Sequence, residues 1–361
     1  MTDRIYVGTR KGLFEIARTG KGAWRIADVH FLGEPVSALL PLDDALYAAL
    51  DLGHFGTHLW KREGNAWREL GVPAFPVKPD DATDDPHPWS LGKIWALEPG
   101  FVTGRLWAGT MPGGLFRSDD AGETWQLVEK QWTMPERKQW MGVAGGEQPG
   151  ISAVLVDPRK PDRIRVGVST AGVWASEDAG KSWRIMNRGG MYNEYMPPER
   201  REDPIAMDIH RLARCAAHPD TVWCQHHNGV FRSEDSGLSW SEITAIEPSK
   251  FGFTVAAHPR DKNTAWFVPA IKDEKRVPVD GKIVVARTRD GGRSFDVLHK
   301  GLPQRHAYDL VLRHGLDVAT DGTTLAFGSS SGGVWVSEDS GDGWTAPEGR
   351  LPPVNVVRFA V

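Results

Sequence analysis

The octet Ser-x-Asp-x-Gly-x-x-Trp occurs four times, at Ser118–Trp125, Ser176–Trp183, Ser233–Trp240 and Ser337–Trp344. A fifth copy, Thr288–Phe295, carries Thr and Phe at its ends. The aromatic positions lie 58, 57, 55 and 49 residues apart, a period that fits one four-stranded blade with its connections rather than a short solenoid turn. Within the octet, Asp can accept hydrogen bonds from its own turn, Gly supplies positive φ, and the aromatic ring starts a returning strand with a large apolar surface. These aspartates therefore read as turn formers, not as catalytic groups.

The same apolar hairpin precedes each octet, as in Ile151–Pro158, then 163–169, then Gly172–Ser176, with 182–186 as the outer strand. Calling the four strands a to d from the inside outward, Asp-Pro or His-Pro pairs at 157, 218 and 258 mark a–b turns. Extending the template places outer turns near Trp24, Trp67, Trp125, Trp183, Trp240, Phe295 and Trp344. The expected fold is all-β: a single domain over 1–361, a seven-bladed β-propeller of four-stranded antiparallel blades. Blade one, from Ile5 to about Asp28, lacks an inner strand. The segment 354–361 should supply it beside Ile5–Gly8 and close the ring, which removes an exposed sheet edge.

The 40 Gly, 25 Pro and 16 Trp in 361 residues suit many short strands and tight turns. With 43 basic and 47 acidic residues and no long run of one sign, nucleic acid is not expected as a partner. No run of about 18 apolar residues offers a membrane helix, and the first residues read as a strand rather than a secretory leader, so a cytoplasmic location is expected. There Cys215 and Cys224 would stay reduced. A hairpin closing at Pro219-Asp220 would set the two thiols opposite each other.

Repeated octets of this form resemble the BNR/Asp-box superfamily of propellers, which includes sialidases, sortilin-like receptors, xyloglucanases and photosystem II assembly factors. The resemblance covers nearly the whole chain. The runs Pro112–Ser118, Tyr195–Glu199 and His226–Ser233 are similar to bacterial WD40/YVTN/BNR-like repeat proteins, loosely labelled glycosyl hydrolases or exo-α-sialidases. The resemblance implies the propeller, and either a hydrolase-type activity or an assembly role. A retaining sialidase would need an arginine triad, a Tyr nucleophile paired with Glu, and an Asp acid/base. Asp3-Arg4-Ile5-Tyr6 lacks the Pro of the sialidase Arg-Ile-Pro motif, Arg4 falls at the far end of blade one, and only Tyr192 and Tyr195 are placed for the nucleophile. Sialidase activity is not expected.

In a propeller the octet turns lie on one face, and the b–c turns and d–a connections on the other, here termed the top. Three long connections, roughly 71–92, 129–150 and 187–208, hold Trp89, Trp132, Trp140, Tyr192 and Tyr195, enough aromatic surface for an ordered canopy over the channel mouth. The b–c turns bring Arg10 and Lys11, Asp51 with His54 and His58, Ser169 with Thr170, and His226, His227 and Asn228. Strand-a starts add Lys93, Ser152, His210 and one of His306 or Tyr308. Such convergence suits a small polar ligand.

One reading is therefore an enzyme, a hydrolase or lyase acting on a sugar-like or carboxylated substrate. Arg10, Lys11 and Lys93 would orient it, and His210 or His226 with Glu199 would act as acid and base. His54, His58 and the adjacent His226 and His227 do not form a helical ligand pair, but His54, His210 and one of His226 or His227 are candidates for a divalent ion. The other reading is a non-catalytic scaffold that docks a protein partner on the same face, and the sequence leaves both open.

Overall fold

The computed structural model of the chain describes residues 3–142, 148–187 and 189–361. Seven antiparallel sheets form a β-propeller. In blade one, Val354–Phe359 is innermost, followed by Arg4–Thr9, Gly12–Gly20 and Ala23–His30. The final strand pairs antiparallel with the first, Val7 opposite Val357 and Gly8 opposite Val356, as the missing inner strand required. Val36–Leu42, Lys93–Pro99, Ile151–Asp157, Ile209–Arg214, Gly252–Ala257 and Leu316–Val318 are the inner strands of blades two to seven. Blade seven departs from the expected pattern: its fourth strand shrinks to one bridge, Val336 with Thr345. No helix among the described residues is long and apolar enough to cross a membrane.

The five octets fold alike because the leading serine, or Thr288 in the fifth copy, organises its own turn. Ser118 Oγ accepts the Gly122 N–H at 2.8 Å and donates to Asp120 Oδ1 at 2.7 Å, while Asp120 accepts from the N–H and hydroxyl of Thr124. Ser182, Ser239 and Ser294 take the place of Thr124 in three other copies. The glycine sits at φ near +90°, as in Gly122 and Gly180, and its predecessor is also left-handed, Ala121 and Ala179 both at +58°. In two copies the aromatic ring also ties blades together: Trp125 Nε1 donates to Gly71 O and Trp240 Nε1 to Met186 O, each in the connection leaving the preceding blade. Apolar clusters fill the blade interfaces, with Trp107 and Leu115 of blade three packed among Val154, Ile164 and Val166 of blade four. Burying each such side chain stabilises by about 1.5–3 kcal/mol.

Cys215 and Cys224 are both free and buried. The register sets Leu212, not Cys215, opposite Cys224, because the last strand pair is Arg214 with Val222 and the chain turns through 215–221 rather than at Pro219-Asp220 alone. The thiols do not face one another across the hairpin.

Candidate functional site

A recurrent backbone irregularity builds the channel mouth. Inner strands two to six each shift register near their top ends: between Val36 and Ala38, Ile94 and Ala96, Ile151 and Ala153, Ile209 and Arg211, and Gly252 and Val255. A bulge inserts an extra residue and re-aims its side chain. The inserted residues are Ser37, Trp95, Ser152, His210, and Phe253 with Thr254. Sequence periodicity alone does not reveal such insertions, which is why Trp95 and Phe253 escaped notice.

Around His210 the mouth becomes a charged cluster. Asp208 Oδ2 lies 3.5 Å from His210 Nε2 and 3.2 Å from His227 Nδ1, and the His227 N–H donates to Asp208 O, pinning the b–c turn to the strand start. His210 Nδ1 is 2.7 Å from Gly252 O, and its ring stacks on Phe253 at 4.4 Å. Phe251 borders both histidines, and Tyr195 meets His227 edge-on at 4.8 Å. Asp208 Oδ1 accepts from Ser169, whose Oγ in turn takes a hydrogen bond from Arg313. The Arg313 guanidinium spans the mouth, 5.0 Å from the Trp95 ring of blade three and 5.4 Å from Phe253 of blade six. Just beneath, His314 Nε2 lies 2.7 Å from Ser152 O of blade four, so the connection into blade seven closes the channel below the cluster.

Burial alone would raise the Asp208 carboxyl, but the neighbouring His210, the hydrogen bonds with both histidines and the Arg313 charge hold it well below the usual range. Burial lowers His210, outweighing the attraction of Asp208. Below the seal, Glu98, Arg211 and Asp317 line a cavity of about 510 Å³, and Arg358 lies 3.8 Å from Glu98.

Of the residues expected at the site, the structure joins His210, His227 and Tyr195, with Asn228 accepting the Glu194 N–H at the base of the Tyr195 loop. It does not bring His226 there. That side chain turns inward against Phe231, fully excluded from solvent, with Nδ1 accepting the Asn228 N–H. Burial pushes its pKa down to about 3, and the structure places it in the core of blade five rather than at the mouth. Adjacent residues on a strand point to opposite sides, and His227 takes the outward position. Glu199 is exposed on the turn Pro198–Arg200 and takes no part in the hydrogen bonding around Asp208. His54 is exposed on the turn Gly53–Phe55, its ring against Phe55, and does not join a metal-ligating group with His210 and His226.

The remaining candidates fall nearby or to the side. Arg10 and Lys11 are exposed on the b–c turn of blade one, and Lys93 lies over Trp95 at 5.1 Å. The Ser152 side chain is buried, its carbonyl taken by His314, while Thr170 occupies a left-handed turn position next to Ser169. Trp89 donates to Asp85 at 2.8 Å and packs on Trp132. Trp132 and Trp140 are buried wedges, so these two rings serve packing rather than a canopy surface. Arg4 pairs with Glu15 at the end of blade one remote from the mouth, where it cannot join a top-face arginine triad. Sequence reasoning missed Asp208, which stands two residues before His210 at the bulged start of the inner strand, where simple alternation does not apply. Arg313 gave no local signal, since an irregular connection delivers it.

No protein-family model matches the chain. An oligoxyloglucan-reducing end-specific xyloglucanase of Emericella nidulans is 33% identical over 96 residues, 26% of this chain and 10% of that protein. Xyloglucanase Xgh74A of Acetivibrio thermocellus is 22% identical over 293 residues, 70% of this chain and 32% of that protein. The chain therefore spans a third or less of these relatives' length. Among solved structures, an ancestral GH74 enzyme superposes with a TM-score of 0.56 at 15% identity, covering 83% of this chain and 36% of that one. YCF48 bound to D1 peptide superposes with a TM-score of 0.52 at 11% identity, covering 87% and 81%. At these identities the likeness shows the propeller fold.

Proposed function

We propose that the chain is an Asp-box propeller enzyme, of hydrolase or lyase type, that binds a small sugar-like or carboxylated substrate at the channel mouth. The observation that carries this reading is the convergence of Asp208, His210, His227 and Arg313, from three separate segments, beneath the exposed ring of Tyr195. A polar cluster of opposite charges walled by Trp95, Phe251 and Phe253 has the make-up of a ligand site. Arg313 offers a planar donor set to a carboxylate or paired hydroxyls. His227, held against Asp208, adds a second imidazole to the cluster. The weak sequence likeness to xyloglucanases supports hydrolytic chemistry.

A second reading, a scaffold that docks a peptide on the top face, is supported by the comparison with YCF48 bound to D1 peptide, which matches this chain over most of both lengths. A thermal-shift screen of the full chain against sugars, sugar acids and lactones separates the two. The enzyme reading expects a ligand that raises the melting temperature and loses its effect in Arg313→Met and Tyr195→Ala. Binding at a hundredfold excess over Kd corresponds to about 2.7 kcal/mol. Silence across the panel, with binding of extended peptides instead, would replace the enzyme by the scaffold.

A further inference from the structure

We infer that Asp208, His210 and His227 together bind one divalent transition-metal ion of the zinc class. The inference rests on reading the channel mouth as the ligand site and specifies what sits at its centre.

The spacing is the first support. Four ligands at about 2.0–2.1 Å around a tetrahedral ion stand about 3.3–3.4 Å apart. Asp208 Oδ2 stands 3.5 Å from His210 Nε2 and 3.2 Å from His227 Nδ1, and all three ligand atoms lie within 4.8 Å of one another. Two imidazoles and a carboxylate form a donor set suited to zinc and its neighbours.

Hydrogen bonding supplies the second support. Gly252 O can only accept, so His210 Nδ1, 2.7 Å away, carries the ring proton. In a neutral ring Nε2 then aims a lone pair at the Asp208 oxygen, with the carboxylate's own lone pairs opposite. Two buried acceptors facing each other require a cation between them, either a second proton on His210 or a metal. A histidine that ligates a metal usually donates its other N–H to a carbonyl or carboxylate, which fixes the tautomer, and the Gly252 contact has that form. Asp208 is divided in the same sense: Oδ1 is occupied by Ser169, and Oδ2 faces the two rings.

The frame is also suitable. Asp208 and His210 open the inner strand of blade five, His227 lies in the b–c turn of the same blade, and the His227 N–H to Asp208 O bond at 3.0 Å joins the two segments. Phe251 and Phe253 wall the rings with apolar surface. Three protein ligands leave a coordination position for water or a substrate oxygen, as in catalytic rather than structural zinc sites.

The test uses the full chain stripped with a chelator, dialysed, and titrated with Zn²⁺ by calorimetry and with Co²⁺ by visible absorption. The expected result is one ion per chain, with the d–d bands of a low-coordinate Co²⁺ site. In Asp208→Asn and His227→Gln, whose folding is checked by circular dichroism, affinity should fall by at least about 100-fold, while His58→Ala should bind as before. Absence of uptake by the stripped wild-type chain would overturn the inference. So would binding that survives both substitutions, or uptake lost equally in His58→Ala. A chain that takes the ion but never responds to sugars or sugar acids would sink the enzyme reading and leave the metal site standing. A sugar-acid shift unaffected by the chelator, in a chain that takes up no ion, would do the reverse.

Discussion

Arg137 and Asp85 meet as an ion pair with 2% and 1% of their side chains exposed, linking the connection after blade two to the connection after blade three. The pair is surrounded: Asp85 also accepts from Trp89 Nε1 and the His87 N–H, and Arg137 lies 3.7 Å from the Trp132 ring. Removing one partner strands the other charge in a dry place. Asp85→Asn should cost about 3 kcal/mol of stability, read as a lower urea midpoint and faster proteolysis within residues 71–92. The double variant Asp85→Leu/Arg137→Met should cost less than the two single changes combined.

Acid should loosen the octet turns. The carboxyls of Asp120, Asp178, Asp235 and Asp290 are all held below their ordinary values, chiefly through bonds from the following Thr or Ser, although in Asp235 burial opposes them most strongly. Asp120 is lowered to about 2. A depressed folded pKa gives stability that is present above the unfolded value of about 4 and lost as pH falls toward the folded one. The urea midpoint should therefore drop between about pH 4 and pH 2. In Thr124→Val the drop should be shallower, because the hydroxyl that lowers Asp120 is gone.

Ala179 precedes its octet glycine at φ +58°, a conformation disfavoured for a side-chain-bearing residue, whereas blade six already has Gly291 at the equivalent place. Ala179→Gly should raise stability by about 0.5 kcal/mol, relief of left-handed strain exceeding the extra backbone entropy of glycine. Differential scanning calorimetry would register this as a higher melting temperature.

The buried His226 and the exposed His54 should behave oppositely. His226→Ala removes a ring packed inside blade five against Phe231 and should lower stability by about 2 kcal/mol. His54→Ala, on an exposed turn, should stay within about 0.5 kcal/mol of the wild type. Chemical denaturation of both variants checks the contrast.

Cys215 and Cys224 should resist alkylation in the native protein, since burial raises both thiols and thereby depletes the reactive thiolate. Iodoacetamide followed by mass spectrometry should show both modified only after unfolding, at comparable rates.

The sequence was most readable where structure is local. Each octet contains its own serine or threonine, aspartate and glycine, so the turn needs nothing from afar, and the spacing of its five copies sets the blade period. The partner of Ile5–Gly8 was legible for a related reason, because an unpaired strand at one end matched a missing one at the other. The site was legible only in part. His210 and His227 could be placed on the top face from strand polarity, but the choice of His227 over His226 depends on which way one side chain points at a strand end. Arg313 is delivered by an irregular connection, and the lone-pair opposition between Asp208 and His210 arises from a bulge that no alternation pattern encodes.

The pairing of Val357 with Val7 joins segments from opposite ends of the described chain. Loop-closure entropy grows only logarithmically with length, about 0.6 kcal/mol per doubling, so the joint is thermodynamically inexpensive. Its cost is in time, because contacts of large sequence separation form slowly. Until Val354–Phe359 docks, Arg4–Thr9 keeps a free edge that any copy of that last strand can satisfy, including one from another molecule. Refolding at high protein concentration should therefore trap strand-exchanged oligomers that dilute refolding avoids, with each ring completed by its neighbour.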